Sequence, residues 1–194
     1  MTVITRPPKR LPSLLVQLPG IGRTKAVEIV AYLAAHPDLA QEMSHAMEDI
    51  ASAGLCLCGM PANKKYPRDE DTYWCSACAS EDKRPVFIVP TIRVANRIIA
   101  LGNKRAFVLD TDMNKLPETI LRFKTWLYTM KWKTTAVVPL MMTAVEKITW
   151  EKYGLPLVNQ YGIPIEYPSI GLLPDVSVDS LDDQALTSVL SSYG

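Results

Sequence analysis

Val86-Phe87-Ile88-Val89 is a run of four apolar residues ending at Pro90, and its reading decides the fold. Four residues are too few for the apolar stripe of a helix. The run is also too continuous for a strand with one face in water, so it reads as a strand covered on both sides. The pattern returns at Ala106-Phe107-Val108-Leu109 and at Thr135-Ala136-Val137-Val138. Helical segments lie between and after these runs, near 92–101, 117–130 and 142–153. Alternating strands and helices imply a parallel sheet with right-handed crossovers, an α/β domain over residues 81–160. Ile163-Pro164-Ile165-Glu166-Tyr167 reads as a weaker fourth strand, its proline favouring a strand start or an edge. The closing segment, 161–194, has a helix start at Ser180 with Asp183 three residues on, followed by Leu186, Val189 and Leu190.

Upstream the texture changes. Leu14, Leu15 and Leu18 form a short apolar face, and Ala26, Val27, Ile29, Val30 and Leu33 form a second after a turn. Pro37-Asp38 opens a third helix, with Leu39, Met43, Ala46, Met47 and Ile50 at helical spacing and Gly54 at its end. Residues 1–54 therefore read as a small helical module, with the methionine stripe as core. Residues 55–80 carry all four cysteines and the polar connector Asn63-Lys64-Lys65-Tyr66-Pro67-Arg68-Asp69-Glu70-Asp71, too polar to hold a core unaided.

Cys56-x-Cys58 and Cys75-x-x-Cys78 are two close pairs separated by 16 residues. Four thiolates brought together tetrahedrally suit zinc, which would hold a segment that cannot fold by burial alone. A disulfide within Cys56–Cys58 is geometrically poor. The first pair is C-x-C rather than the usual C-x-x-C, so its knuckle turns differently. Reduced cysteines in a module without its metal are the plainer alternative. Four thiolates leave no open coordination position, so the expected ion is structural.

The 194 residues are 48% hydrophobic and 21% charged, as in an ordinary globular protein. No apolar run reaches about 18 residues, so no membrane-spanning helix is expected. Met1–Pro12 is basic and proline-rich without an apolar stretch, which argues for a cytoplasmic setting. The net charge of +1 hides an asymmetry. Residues 1–25 carry Arg6, Lys9, Arg10, Arg23 and Lys25 and no acid. Residues 153–194 carry Glu166, Asp175, Asp179, Asp182 and Asp183 and no Lys or Arg. An anionic partner at the basic end follows.

That basic end holds Leu18-Pro19-Gly20-Ile21-Gly22-Arg23-Thr24-Lys25-Ala26. Two glycines one residue apart make a tight turn whose backbone can lie against a ligand, and the next helix begins at once with its N–H groups facing the same way. This arrangement suits a nucleic-acid phosphate and resembles the helix-hairpin-helix, with Gly20, Gly22, Arg23 and Lys25 as the DNA-binding set, aided by Arg6, Lys9 and Arg10. A turn that merely joins two helices is the plainer alternative.

The hairpin, the four cysteines, the α/β domain and Tyr167-Pro168-Ser169-Ile170-Gly171-Leu172-Leu173-Pro174, in that order, resemble the bacterial recombination mediator family RecR. The resemblance implies a helix-hairpin-helix, a four-cysteine zinc finger, a Toprim domain and a C-terminal segment. It further implies a ring-shaped homo-oligomer, dimer or tetramer, that clamps DNA without catalysis and works in recombinational repair with RecO- or RecF-like partners. This chain departs from the family pattern at Thr24 and Glu28, where basic residues are usual, and at Pro90, where the first Toprim strand normally ends in glutamate. It departs also along Pro139–Glu146, a segment polar and acidic in the family, and at Asp175-Val176, where a glycine pair is usual. It reads as a divergent member.

Two other functions compete. Asp110-x-Asp112 after the second strand could hold Mg²⁺ for a Toprim enzyme acting on nucleic acid, with Glu146 the one acid close after the third strand. The plainer reading of the pair is a solvated strand-end turn. The chain could also be a scaffold subunit that keeps the clamp fold. His36 and His45 have no partner motif and lie on or beside the polar side of a helix.

Overall fold

The computed structural model describes residues 11–18, 20–62, 64–66, 69–102, 104–168 and 177–193. Arg6, Lys9, Arg10, Pro19, the Ile170–Pro174 stretch and Asp175-Val176 lie outside them. The chain divides into two compact units, Met1–Ser52 and Ala53–Gly194.

In the first unit, α1 (Leu11–Leu15) packs against α2 (Arg23–Ala35), and α3 (Pro37–Ala53) follows after a single linking residue, His36. Leu15 and Ala26 are buried at this contact. Leu14 and Leu18, expected on the same apolar face, are instead 55% and 49% exposed. A helix of five residues turns one side inward: Leu14 lies about 100° around the axis from Leu15, and Leu18 falls beyond the helix. The methionine stripe is likewise not a core. Met43 is half-buried and Met47 is exposed, and both line an open apolar groove of about 300 Å³ with Leu11, Val30, Leu33 and Ala40.

The second unit is α/β. The polar connector forms an antiparallel pair, β1 (Lys64–Tyr66) with β2 (Asp69–Trp74), followed by the one-turn helix α4 (Ser76–Ala79). Then come β3 (Arg84–Val89), α5 (Ile92–Gly102), β4 (Arg105–Val108), α6 (Leu116–Met130) and β5 (Thr134–Pro139). These three strands make a parallel sheet in the order β4-β3-β5, with Val86 opposite Arg105 and Val137. Side chains alternate between the two faces. Phe107 meets Phe123 and Trp126 of α6, at 4.6 and 5.4 Å between ring centres. Phe87, one register position out of step with Phe107, meets Tyr193 edge-on from the other side. Both faces are thus covered, as the unbroken apolar runs require.

After β5 come α7 (Ala144–Thr149), a π-helical turn (Trp150–Gly154) and α8 (Leu155–Gln160). The expected fourth strand reduces to one bridge, Ile165 beside Val137. Val137 donates to the Pro164 carbonyl and accepts from Glu166. Pro164 has no N–H with which to extend that ladder. The last helix, α9 (Asp183–Ser191), is capped by Asp182, which accepts from the Ala185 N–H at 2.7 Å. Ser180, expected as its start, instead ends a 3-10 turn at Val178–Ser180. This tail is seated on α5, where Arg97 donates to Asp183 and to the Leu181 carbonyl, each at 2.6 Å. Thr91 donates to Asp179. Three acids of the negative C-terminal end, Asp179, Asp182 and Asp183, are therefore engaged within the chain.

Arg105 opens β4 fully buried. Its guanidinium donates to the carbonyls of Ala77 (2.8 Å), Ser80 (2.6 Å) and Lys133 (2.8 Å), tying α4 and the start of β5 to the edge strand. Replacing Arg105 by Met keeps the apolar stem but strands these three carbonyls. The expected loss is about 3 kcal/mol, read as a lower denaturant midpoint at unchanged m-value. An unchanged midpoint would contradict this role.

Candidate functional site

The four cysteines converge. Cys56, Cys58, Cys75 and Cys78 are all buried, and their sulfurs lie within 4.8 Å of one another, with Cys58 Sγ and Cys75 Sγ 3.6 Å apart. A tetrahedral ion with bonds of about 2.3 Å to sulfur needs sulfurs about 3.8 Å apart, so the donor set fits a thiophilic metal such as zinc. These residues could hold a metal ion.

Local backbone geometry explains why C-x-C serves here. Leu55 bridges Pro61, the Cys56 N–H donates to the Met60 carbonyl at 2.8 Å, and the Gly59 N–H donates to the Cys56 carbonyl at 2.8 Å. Cys56 thus opens a tight turn and Cys58 sits inside it, which brings the two thiols to one side. Gly59 closes the tip with φ +93°, a left-handed conformation that side chains other than glycine's resist. A Cβ there would also come within 3.2 Å of Val108. The second knuckle uses α4, for which Cys75 is the N-cap residue and within which Cys78 lies.

The surroundings fix both knuckles to the sheet. The Val108 N–H donates to the Cys58 carbonyl at 3.0 Å, covering part of the edge strand. Trp126 of α6 donates its indole N–H to Cys78 Sγ at 3.3 Å, and Arg105 grips α4 from beneath. Sulfur-to-sulfur hydrogen bonds, led by that with Cys56, hold the Cys75 thiol far below its ordinary range. The Cys58 and Cys78 thiols are pushed well up, foremost by their bonds with Cys56. Burial lowers the pKa of the Arg105 guanidinium, while the charge of Cys78 opposes that shift. A closed four-thiolate metal site carries net negative charge, which a buried guanidinium offsets.

The hairpin in the other unit is open. Gly20 has φ +79°, and Gly22 is extended at φ −81°, ψ 169°. Nothing lies within 4 Å of a Cβ built on either. Gly22 is the N-cap residue of α2 and offers no side-chain cap, so among the described residues the first N–H groups of the helix have no hydrogen-bond partner. Arg23, Thr24 and Lys25 are exposed. Lys25 Nζ lies 3.1 Å from Glu28 within the same helix, an exposed pair of the kind that holds weakly.

The aspartate pair is a strand-end turn. Asp110 accepts from the Asp112 N–H at 2.9 Å, Asp112 accepts from the Asn114 N–H at 3.0 Å, and Lys115 Nζ stands 3.9 Å from both carboxylates. Glu146 is occupied elsewhere, accepting from the N–H groups of Met142 (2.7 Å) and Thr143 (3.0 Å) in the capping box of α7. His36 stacks on Tyr32 with Nδ1 2.8 Å from the Tyr32 carbonyl oxygen, and His45 is exposed on α3. Among the described residues no helix is long and apolar enough to cross a membrane.

Sequence reasoning missed Arg105 and Trp126. Nothing in the order of residues marks which arginine or tryptophan approaches a cysteine. The one hint is an arginine placed directly before the apolar run of β4, where burial of its stem is unavoidable. No family model matches the chain, and no curated protein matches its sequence.

Thiolates are the ligands, so a bound metal competes with protons, and the raised thiols of Cys58 and Cys78 must give theirs up. The protein is expected to take up one thiophilic divalent ion per chain, with affinity rising with pH and lost on acidification. Titration against a chromophoric chelator over a pH series checks this. Zero uptake at neutral pH, or affinity indifferent to pH, would refute it.

Proposed function

We propose that this chain is a non-catalytic nucleic-acid-binding protein of the RecR-like kind. In this reading the hairpin binds the DNA backbone without reading sequence, zinc fills the cysteine cluster as a structural ion, and the protein serves as a mediator in recombinational repair. It works as a cytoplasmic homo-oligomer beside a RecO- or RecF-like partner. The observation that carries the reading is the open glycine turn before α2. Gly20 and Gly22 leave room for a ligand, the helix N-terminus lacks a cap, and Arg23 and Lys25 supply charge at the same place. A phosphate meets complementary N–H donors and cations there.

Two further features support it. The order of hairpin, cysteine cluster and parallel sheet follows the RecR arrangement. The acids that an Mg²⁺-dependent enzyme would need are otherwise engaged, Asp110 and Asp112 by turn N–H groups and Lys115, and Glu146 by its capping box. Pro90 directly follows β3, where the RecR pattern has a glutamate. Zinc is the thiophilic ion best matched to four thiolates without redox chemistry, and a site filled by four protein ligands gives it no open position.

The double variant Arg23→Glu/Lys25→Glu should weaken binding to every DNA sequence tested. It should also flatten the dependence of log K on log salt by about 2, as expected when two phosphate contacts are lost. Fluorescence anisotropy with labelled oligonucleotides across a salt series measures both. Affinity and slope unchanged in the double variant would overturn the hairpin reading.

A further inference from the structure

We propose a second nucleic-acid contact surface, on the α/β unit, where Tyr128, Trp132, Tyr161 and Lys131 form a stacking platform for single-stranded nucleic acid. It shares with the hairpin only the class of ligand and does not depend on hairpin binding.

The surface begins as a stripe on α6. Leu121, Lys124 and Tyr128 recur at helical spacing and are all exposed, and the one-turn 3-10 helix Lys131–Lys133 continues the stripe with Trp132. Tyr128 is 64% and Trp132 76% exposed. Rings this exposed bury little of their surface within their own unit, while Tyr161 beside them is half-buried and packs against the core. Lys131 sits among them, its Nζ 4.9 Å from the centre of the Tyr128 ring, 5.1 Å from Trp132 and 5.7 Å from Tyr161. The Tyr128 and Tyr161 ring centres are 6.5 Å apart.

Charge selects the occupant. Residues 121–133 carry Arg122, Lys124, Lys131 and Lys133 and no Asp or Glu. Of these, Lys133 is paired with Glu81 at 2.7 Å and Arg122 lies over Phe107, away from the platform, while Lys124 is exposed and Lys131 lies within the rings. Exposed aromatic faces interleaved with cations match unpaired bases on a phosphate chain, since every base has a face to stack and every phosphate a charge to meet. A duplex keeps its bases stacked inside and offers only phosphates. A partner's methylated lysine is disfavoured because Lys131 already places a positive charge among the rings, which repels a second cation and attracts a phosphate.

The platform is held rigid. The Lys133 carbonyl accepts from Arg105, Lys133 Nζ reaches Glu81, and Thr134 Oγ1 donates to the Met130 carbonyl at 2.9 Å. The turn presenting Trp132 is thus fixed by the same guanidinium that grips the cysteine segment. Little ordering remains to be done when a strand arrives.

The protein supplies its own reporter. Trp74, Trp126 and Trp150 are buried, whereas Trp132 is open to solvent. Tryptophan emission of the full chain is followed while oligo(dT) is added. Stacking on Trp132 quenches the exposed component, a duplex of equal charge quenches it far less, and the quench disappears in Trp132→Phe. Trp132→Ala weakens oligo(dT) binding by roughly five- to a hundredfold, and the quench persists in Arg23→Glu/Lys25→Glu. Oligo(dT) binding without any quench would overturn the platform and leave the hairpin reading standing. A quench that survives Trp132→Phe, or equal quenching by poly-glutamate, would overturn it too, the latter in favour of an acidic peptide. No binding to any nucleic acid would remove both sites.

Discussion

A guanidinium placed inside a protein is costly unless every donor finds an acceptor, and Arg105 is placed inside this one. Its three hydrogen bonds go to carbonyls from two separate stretches, Ala77 and Ser80 in and at the end of α4 and Lys133 before β5. Neither stretch can shift without stranding part of the charge. The cysteine segment sends Met60, Ala62, Trp74 and Ala77 into the core, and it is further located by this grip, by the Val108 N–H on Cys58 and by the Trp126 indole on Cys78. The cysteine cluster is therefore part of the sheet's edge, and the charge of a metal–thiolate centre would have a buried cation beside it.

The two units solve the burial problem differently. Behind the sheet, Phe87, Phe107, Phe123, Trp126 and the strand residues are fully or nearly fully covered. In the helical unit Leu15 and Ala26 are the buried residues among those described, and its apolar side chains line an open groove. A small unit has little interior to offer, so its surface carries what a larger domain would hide. The open hairpin turn and the uncapped start of α2 fit that economy, since groups not used for folding remain free to meet a ligand.

Much of the sheet was legible because Val86–Val89, Ala106–Leu109 and Thr135–Val138 are unbroken apolar runs, a pattern that strands covered on both faces produce. The four cysteines were legible from spacing. Other features depended on tertiary placement. Which of Ser180 and Asp182 would cap α9 was settled by where Arg97 holds Leu181 and Asp183. The β1–β2 pair was hidden by charged residues that show no alternation. The methionines of α3 have the spacing of a core, but spacing cannot say whether anything lies opposite. The ring cluster of Tyr128, Trp132 and Tyr161 joins residues from α6, a 3-10 turn and the end of α8, which no one-dimensional pattern connects.

The central claim is that the cysteine cluster and the parallel sheet form one cooperative structure joined through Arg105. Native-state hydrogen exchange, followed amide by amide with metal bound and after chelation, tests it most directly. Chelation is expected to lower the opening free energy of amides in 56–62 and 76–79 and, together with them, of Val108 and its neighbours in β4 and β3. Free exchange of the cysteine segment after chelation, with β4 and β3 keeping their full protection, would contradict a single cooperative structure.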